Sequence, residues 1–293
     1  MGRKKKLDSS FELIEDFFDK YELKSFTENK FREVFNKYKD SWNVPSNKYA
    51  SQVLAYLVIR KIFIENTFIS GSNESKTIYS WKSKDEFTII SGLKSDSYFS
   101  HYSALYLHQL TLQIPKIIYL NFEHKSTASY NRSDNILMQQ SIDKAFKVSQ
   151  RKSLVSFSFL EKKIILINGK FTNKLGVKKK TDGEQSFEFT DIERTLIDIS
   201  VRPVYAGGVF EVLEAYKRAK GKISATKLAN YLTQIDFIYP YHQVIGFYME
   251  KAGYSETEIE HFKKDMKFNF YLTYDIRNKE FSEKWKLYYP KGL

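Results

Sequence analysis

The chain has 293 residues, no cysteine and a formal charge of +12. Without thiols it can hold neither disulfides nor thiolate metal sites, and it reads as a cytoplasmic protein. No run approaches the roughly 18 to 20 apolar residues of a membrane span, and the basic GRKKK is followed by DSSFELIEDFFDK, an order unlike a signal peptide. The charge is uneven along the chain. Residues 1–84 hold 16 Lys/Arg against 11 Asp/Glu, residues 85–180 hold 15 against 7, and residues 181–293 hold 16 against 17. That is the footprint of a nucleic-acid binder whose last third does something else. A generally basic surface is the competing explanation.

SFELIEDFFDKYELK places Phe11, Ile14, Phe17, Phe18 and Tyr21 at three-to-four spacing, which predicts an amphipathic helix capped by Ser10. A second helix is predicted from Thr27 to about Lys39, burying Phe31, Val34, Phe35 and Tyr38. Pro45 is expected to open a third, SNKYASQVLAYLVIRKI. Its stripe of Ala50, Val53, Leu54, Leu57 and Val58 faces inward, and Asn47, Lys48, Ser51 and Gln52 lie on the other side. Two β-rich runs follow, IFIENTFIS and KTIYSWK, joined by GSNES as a hairpin.

Three helices and a two-stranded wing make the winged helix-turn-helix plan over residues 1–84. In it the third helix enters the major groove and the wing rides on phosphates. Asn47, Lys48, Ser51 and Gln52 are then candidates for base edges. Lys61, Lys76 and the arm Arg3, Lys4, Lys5 and Lys6 are candidates for the phosphate backbone. A solvated helix face and a disordered solubility tail are the plainer alternatives for the same residues.

In the middle region, SYFSHYSALYLHQLTLQIP predicts a helix from near Ser100 to Pro115, with Leu105, Leu107 and Leu110 in the core. KIIYLNFEH, SLVSFSFL and KIILING read as strands, residues 135–152 as a helix or an irregular excursion, and NKLGVKKKTDG as a basic loop exposing Lys178, Lys179 and Lys180. Helices are predicted at 191–201, 208–220, 225–233, 240–252 and 256–265, with strand-like KFNFYLTY near the end. Gly221 and Gly253 sit where helix C-terminal glycines belong, and Ser255 with Glu258 forms a capping box. The expected fold class is α+β: a winged helix-turn-helix over 1–84, a mixed α/β, β-rich middle over 85–180, and a mostly helical part over 181–293.

FTDIERTLIDISVRPVYAGG concentrates three carboxylates, two arginines and a glycine pair. Thr190 and Glu193 read as a capping box, and Arg194 with Asp198 as an i,i+4 pair. On one helix Asp191 and Glu193 lie about 200° apart, and Asp198 stands about 10 Å beyond Asp191, so joint metal coordination is not expected. Gly207 and Gly208 suit a tight turn but lack a phosphate-cradling pattern. His101, His108, His124, His242 and His261 show no metal-binding spacing. No catalytic residue, cofactor or metal is expected.

SYFSHYSALYLHQLTLQIPKIIYL, FTDIERTLIDISVRPVYAGGVFEVLEAYKRA, YPYHQVIGFYMEKAGY and the closing EFSEKWKLYYP, in that order, resemble the AbiEi family. These are antitoxins of bacterial type IV toxin–antitoxin systems that give abortive-infection immunity to phage. The resemblance spans roughly residues 98–290; residues 121–152 depart from it, and the N-terminal part matches only in plan. It implies an N-terminal winged helix that binds inverted repeats in double-stranded operator DNA and represses its own operon. It also implies a C-terminal domain that opposes a nucleotidyltransferase-like toxin without a stable complex. Thr190, Asp191, Glu193, Arg194, Asp198, Gly207 and Gly208 then belong to the family's scaffold. A stand-alone regulator and a DNA-targeted phage-defence nuclease are the alternatives.

Overall fold

The computed structural model describes residues 2–124, 137–264 and 266–293, with side chains from residue 10 onward. The fold is mixed α+β, and the chain forms two compact units. Residues 1–97, 157–161 and 179–188 make the first; residues 98–156, 162–178 and 189–293 make the second. No helix among the described residues is long and apolar enough to cross a membrane.

In the first unit, α1 (Gly2–Lys20) starts well before the expected cap. Ser10 lies inside this helix, fully buried, and its hydroxyl donates to the Asn43 carbonyl at 2.9 Å. The residue is a tertiary tie, which local spacing does not reveal. Strand β1 (Ser25–Phe26) leads into α2 (Glu28–Tyr38). Thr27, the predicted first residue of that helix, is instead its cap, accepting from the Lys30 amide at 3.2 Å, and Glu28 and Lys37 sit at the helix ends their charges favour.

Helix α3 (Ala50–Ile59) precedes the hairpin of β2 (Phe63–Ser70) and β3 (Ser75–Trp81), paired from Phe63↔Trp81 to Ile69↔Ser75. The hairpin is where the alternation of the sequence put it. β1 joins the far edge of β3 through Ser25↔Ser80 and Phe26↔Tyr79. Helix α4 (Glu86–Ser91), capped by Asp85, is too short to show a periodic pattern in the sequence, and its residues 87–90 are buried.

Phe18 organises this unit's core. Its ring lies 5.0 Å from Trp81, 5.3 Å from Phe63, 5.4 Å from Phe26 and 5.6 Å from Trp42. One side chain therefore joins α1 to the hairpin and to the turn after α2. Edge and tilted ring contacts of this kind add to the burial of apolar area.

Strand β4 (Ser97–Phe99) leads into the second unit and α5 (His101–Leu107). The helix predicted to reach Pro115 stops at Leu107 instead. Gln109 takes a left-handed φ of 57°, and the chain folds back so that Leu110 is fully buried while Leu107 is only half-buried. β5 (Ile117–Glu123) follows, then α6 (Gln139–Phe146); residues 125–136 of the unaligned stretch lie outside the described residues. β6 (Ser156–Phe159) and β7 (Lys162–Gly169) come next, and β7 runs parallel to β5 from Ile117↔Lys163 to Glu123↔Gly169.

NKLGVKKKTDG is a loop only at its ends. Val177–Asp182 forms β8, followed by β9 (Gln185–Thr190); Lys178 and Lys179 are exposed, but Lys180 is half-buried. Lys179 pairs with Glu22 at 2.9 Å, and the Lys178 ammonium lies 4.7 Å from the centre of the Phe189 ring. Helices α7 (Ile192–Val201), α8 (Val209–Ala219), α9 (Ala225–Ile235) and α10 (Tyr241–Lys251) follow close to the predicted spans, whereas α11 (Glu256–Glu260) ends well short of the predicted 265. Their apolar faces, with Trp285, make the second unit's largest core. A small sheet closes the chain, with β12 (Leu287–Pro290) between β10 (Phe270–Tyr271) and β11 (Lys279–Ser282).

Candidate functional site

The outer face of α3 carries Ser51, Gln52, Ala55 and Ile59, all exposed. The helix opens at Ala50 and not at Pro45, because Tyr49 is extended and its amide donates to Gln52 Oε1 at 3.2 Å. Asn47 and Lys48 therefore lie in the entry turn, outside the helix, with Asn47 exposed and Lys48 half-buried. Ser51 and Gln52 remain on the outer face, but the side-chain oxygen of Gln52 is engaged at the helix start. Two residues that the polar pattern passed over border this face: Tyr49, 71% exposed, and Ile59, 79% exposed. Continuing the spacing Ser51–Ala55–Ile59 would have found the second. Lys61 is exposed after the helix, at a left-handed φ of 59°.

The hairpin differs more from expectation. Lys76 is not poised for phosphate. It is half-buried and donates to the Leu93 carbonyl at 2.7 Å, and burial and the nearby Lys94 lower its pKa. Near the turn, β2 is paired on its other side by Ile69↔Ser158 and Ser70↔Phe157, and Phe68 stacks on Phe159 at 4.4 Å. The tip residues 71–75 are exposed, and Glu74 is their one charged side chain. Arg3, Lys4, Lys5 and Lys6 belong to α1, so they continue a helix instead of forming an extended arm; their side chains lie outside the described residues.

In the second unit the acidic motif is a scaffold of satisfied charges. Asp191, not Thr190, is the N-cap of α7, accepting from the Arg194 amide at 2.9 Å. Thr190 ends β9, and its hydroxyl meets Thr195 Oγ1 at 2.7 Å. An N-cap lies off the helical wheel, so the expected 200° separation of Asp191 and Glu193 does not hold. Both carboxylates converge on Lys227 Nζ, at 2.9 and 3.0 Å. Burial opposes the Lys227 charge, but the two carboxylates outweigh it and raise its pKa above the usual lysine value.

Arg194 and Asp198 meet at 2.9 Å, and both side chains are buried. Arg194 also donates to Thr172 Oγ1 at 3.0 Å and to the Leu175 carbonyl at 2.7 Å. Beside it, Glu123 accepts from the Thr172 amide at 2.8 Å and from the Tyr98 hydroxyl at 3.0 Å. Burial works against the Glu123 charge, yet these donors hold its carboxyl below the usual range. Glu123 sits at the end of β5, far from the motif in sequence, and no local signal marks it. Gly207 and Gly208 take φ of 82° and 99° ahead of α8, the turn expected of them.

The histidines do not gather. His108 Nε2 meets the Thr190 carbonyl at 2.7 Å, and His261 Nε2 meets Thr226 Oγ1 at 3.2 Å. His101 is buried against Tyr205, with Nδ1 2.8 Å from Ser100 Oγ. Among the described residues, no group of three or more His, Asp or Glu is placed to hold a metal ion.

No family model matches the chain. No curated protein matches it either. Among solved structures, the chain is similar to the crystal structure of the RV2827C protein from Mycobacterium tuberculosis. That similarity has a TM-score of 0.51 and 8% sequence identity, and covers 96% of this chain and 91% of that one. At this identity the likeness is one of fold.

Proposed function

We propose that the protein is a DNA-binding autorepressor and antitoxin of a type IV, abortive-infection toxin–antitoxin system. On this reading the first unit is a winged helix that holds inverted repeats in its own promoter. The observation that carries it is topological. The order α1-β1-α2-α3-β2-β3, with strand order β1-β3-β2, supports a winged-helix reading, and the outer face of α3 is exposed. Ser51, Gln52 and Asn47 are the base-edge candidates, with Lys48 and Lys61 for phosphates; Lys76 is no longer among them. The antitoxin half rests on the resemblance of the motifs across residues 98–290. The chain opposes a nucleotidyltransferase-like toxin without a stable complex, and the charges of the acidic motif serve as scaffold.

The test uses duplex DNA from upstream of the protein's own gene. Ser51→Glu puts a carboxylate on the exposed face of α3 and should abolish binding while leaving the melting temperature unchanged. Asn47→Ala should weaken it by about 1–3 kcal/mol if that amide reads a base. Unchanged affinity in both variants would remove α3 from the interface. Co-expression with the adjacent gene tests the second half, with rescue of growth as the expected result.

A further inference from the structure

The small terminal sheet has one face on the core, and its other face is buried at Tyr271 and partly open at Tyr288 and Phe281. Alternation along the strands decides which residues belong to each. Phe270 and Leu287 are fully buried, and Tyr271, Tyr288, Phe281 and Lys279 share the opposite face. Tyr271 pairs with Tyr288, and Tyr288 with Phe281, so three aromatic rings form one row across three strands. Their centres lie 5.0 and 4.7 Å apart. Tyr271 is anchored, since its hydroxyl donates to Asp143 at 2.9 Å and its ring stacks on Phe146 at 5.7 Å. Tyr288 and Phe281 are partly open.

Charge accompanies the rings. Residues 261–293 hold eight Lys/Arg against four Asp/Glu, although the last third as a whole is almost neutral. Many of these cations are already engaged: Lys263 and Lys284 pair with glutamates, and Lys286 donates to the Met266 carbonyl. Arg277, Lys279 and Lys291 are different. All three are exposed and have no carboxylate partner among the described residues. They also lie close together, because Lys279 stands opposite Pro290 and the Lys291 amide donates to the Asn278 carbonyl. The Lys279 ammonium rests 4.3 Å from the centre of the Tyr288 ring, as a movable cation on an aromatic face.

We infer that this sheet is a binding site for single-stranded nucleic acid. Bases stack on Tyr288 and Phe281, and Arg277, Lys279 and Lys291 track the phosphates. Open rings beside unpaired cations are the chemistry by which proteins hold single strands with little sequence preference. A duplex keeps its bases stacked on one another, so its ring faces are not free to pair with this row. The site is separate from α3 and does not rest on the operator reading.

The experiment measures fluorescence anisotropy of the full chain with labelled twelve-nucleotide oligo(dT) and oligo(U), at two salt concentrations, with a twelve-base-pair duplex as competitor. Tyr288→Ala should weaken single-strand binding roughly tenfold, whereas Tyr288→Phe, which keeps the ring, should not. Lys279→Glu with Lys291→Glu changes only exposed groups, so it tests the site even where Tyr288→Ala destabilises the fold, and it should lower affinity at least as much. Absence of single-strand binding at either salt concentration overturns the proposal, as does binding indifferent to the charge reversals. Loss of duplex and single strand to the same extent overturns the stacking role. Loss of duplex binding alone in Ser51→Glu, with oligo(U) still bound, separates this site from the operator interface.

Discussion

His101 shows how one residue can make stability depend on pH. Burial, with Arg202 and Arg194 adding to it, pushes its pKa down to about 3. In the unfolded chain an imidazole titrates near 6.5. Between these values the unfolded state binds a proton that the folded state refuses, so stability is full above about pH 6.5 and falls as pH drops toward 3. The loss is about 1.4 kcal/mol per pH unit. Urea unfolding at pH 7.5 and pH 5 should differ by about 2 kcal/mol. His101→Asn, a residue that tolerates the left-handed φ of 51° found here, should remove that part of the difference. Arg194 supplies the second case. Removing it strands Asp198, whose carboxyl is buried deeply enough that its pKa is raised even beside the guanidinium. Arg194→Leu is expected to cost about 3–5 kcal/mol, with much of that recovered when Asp198→Leu is added. A double variant that unfolds at nearly the same urea concentration as the parent would mark the pair as structural.

At the scale of elements, patterns that act over three or four residues were legible and those that reach across the fold were not. α2, the β2–β3 hairpin and the span of α7 follow from spacing, as does the capping box of Ser255, where both reciprocal bonds form. Ser10 has the local signature of a cap, which a buried serine bonded to a distant carbonyl shares. Asp191 displaced Thr190 as cap for a related reason: Thr190 is claimed by β9. Packing also overrules propensity at Gly246 in the middle of α10. A β-carbon there would run into the Trp285 ring. Gly246→Ala, which stabilises an isolated helix by about 1 kcal/mol, should lower the melting temperature of this protein.

For the molecule as a whole, two features matter: how the charge is distributed along the chain, and how the chain is threaded between its units. Under the operator-binding proposal, the positive excess of residues 1–180 should make duplex affinity fall steeply with salt, since each phosphate contact releases counterions. A titration of log affinity against log salt with a slope near zero would contradict an electrostatic interface. The first unit is discontinuous, and its later segments contribute to its interior. The Ser186 amide donates to Thr88 Oγ1 at 3.0 Å, and Phe187 packs on Phe87 at 5.7 Å. A fragment of residues 1–97 should therefore be less stable than the same unit in the full chain, as thermal unfolding would reveal.

Periodicity, caps and charge counts in the sequence by themselves determined the mixed α+β class, most helices, the hairpin and the uneven positive charge. These are properties of neighbours along the chain, and short-range sterics and solvation set them. Only the tertiary structure decided that Lys76 is tied to Leu93, that Asp191 and Glu193 share Lys227, and that Tyr271, Tyr288 and Phe281 stand in one row. Each of these depends on segments remote in sequence meeting in space, and the identity of a residue carries no record of the partner that folding brings to it.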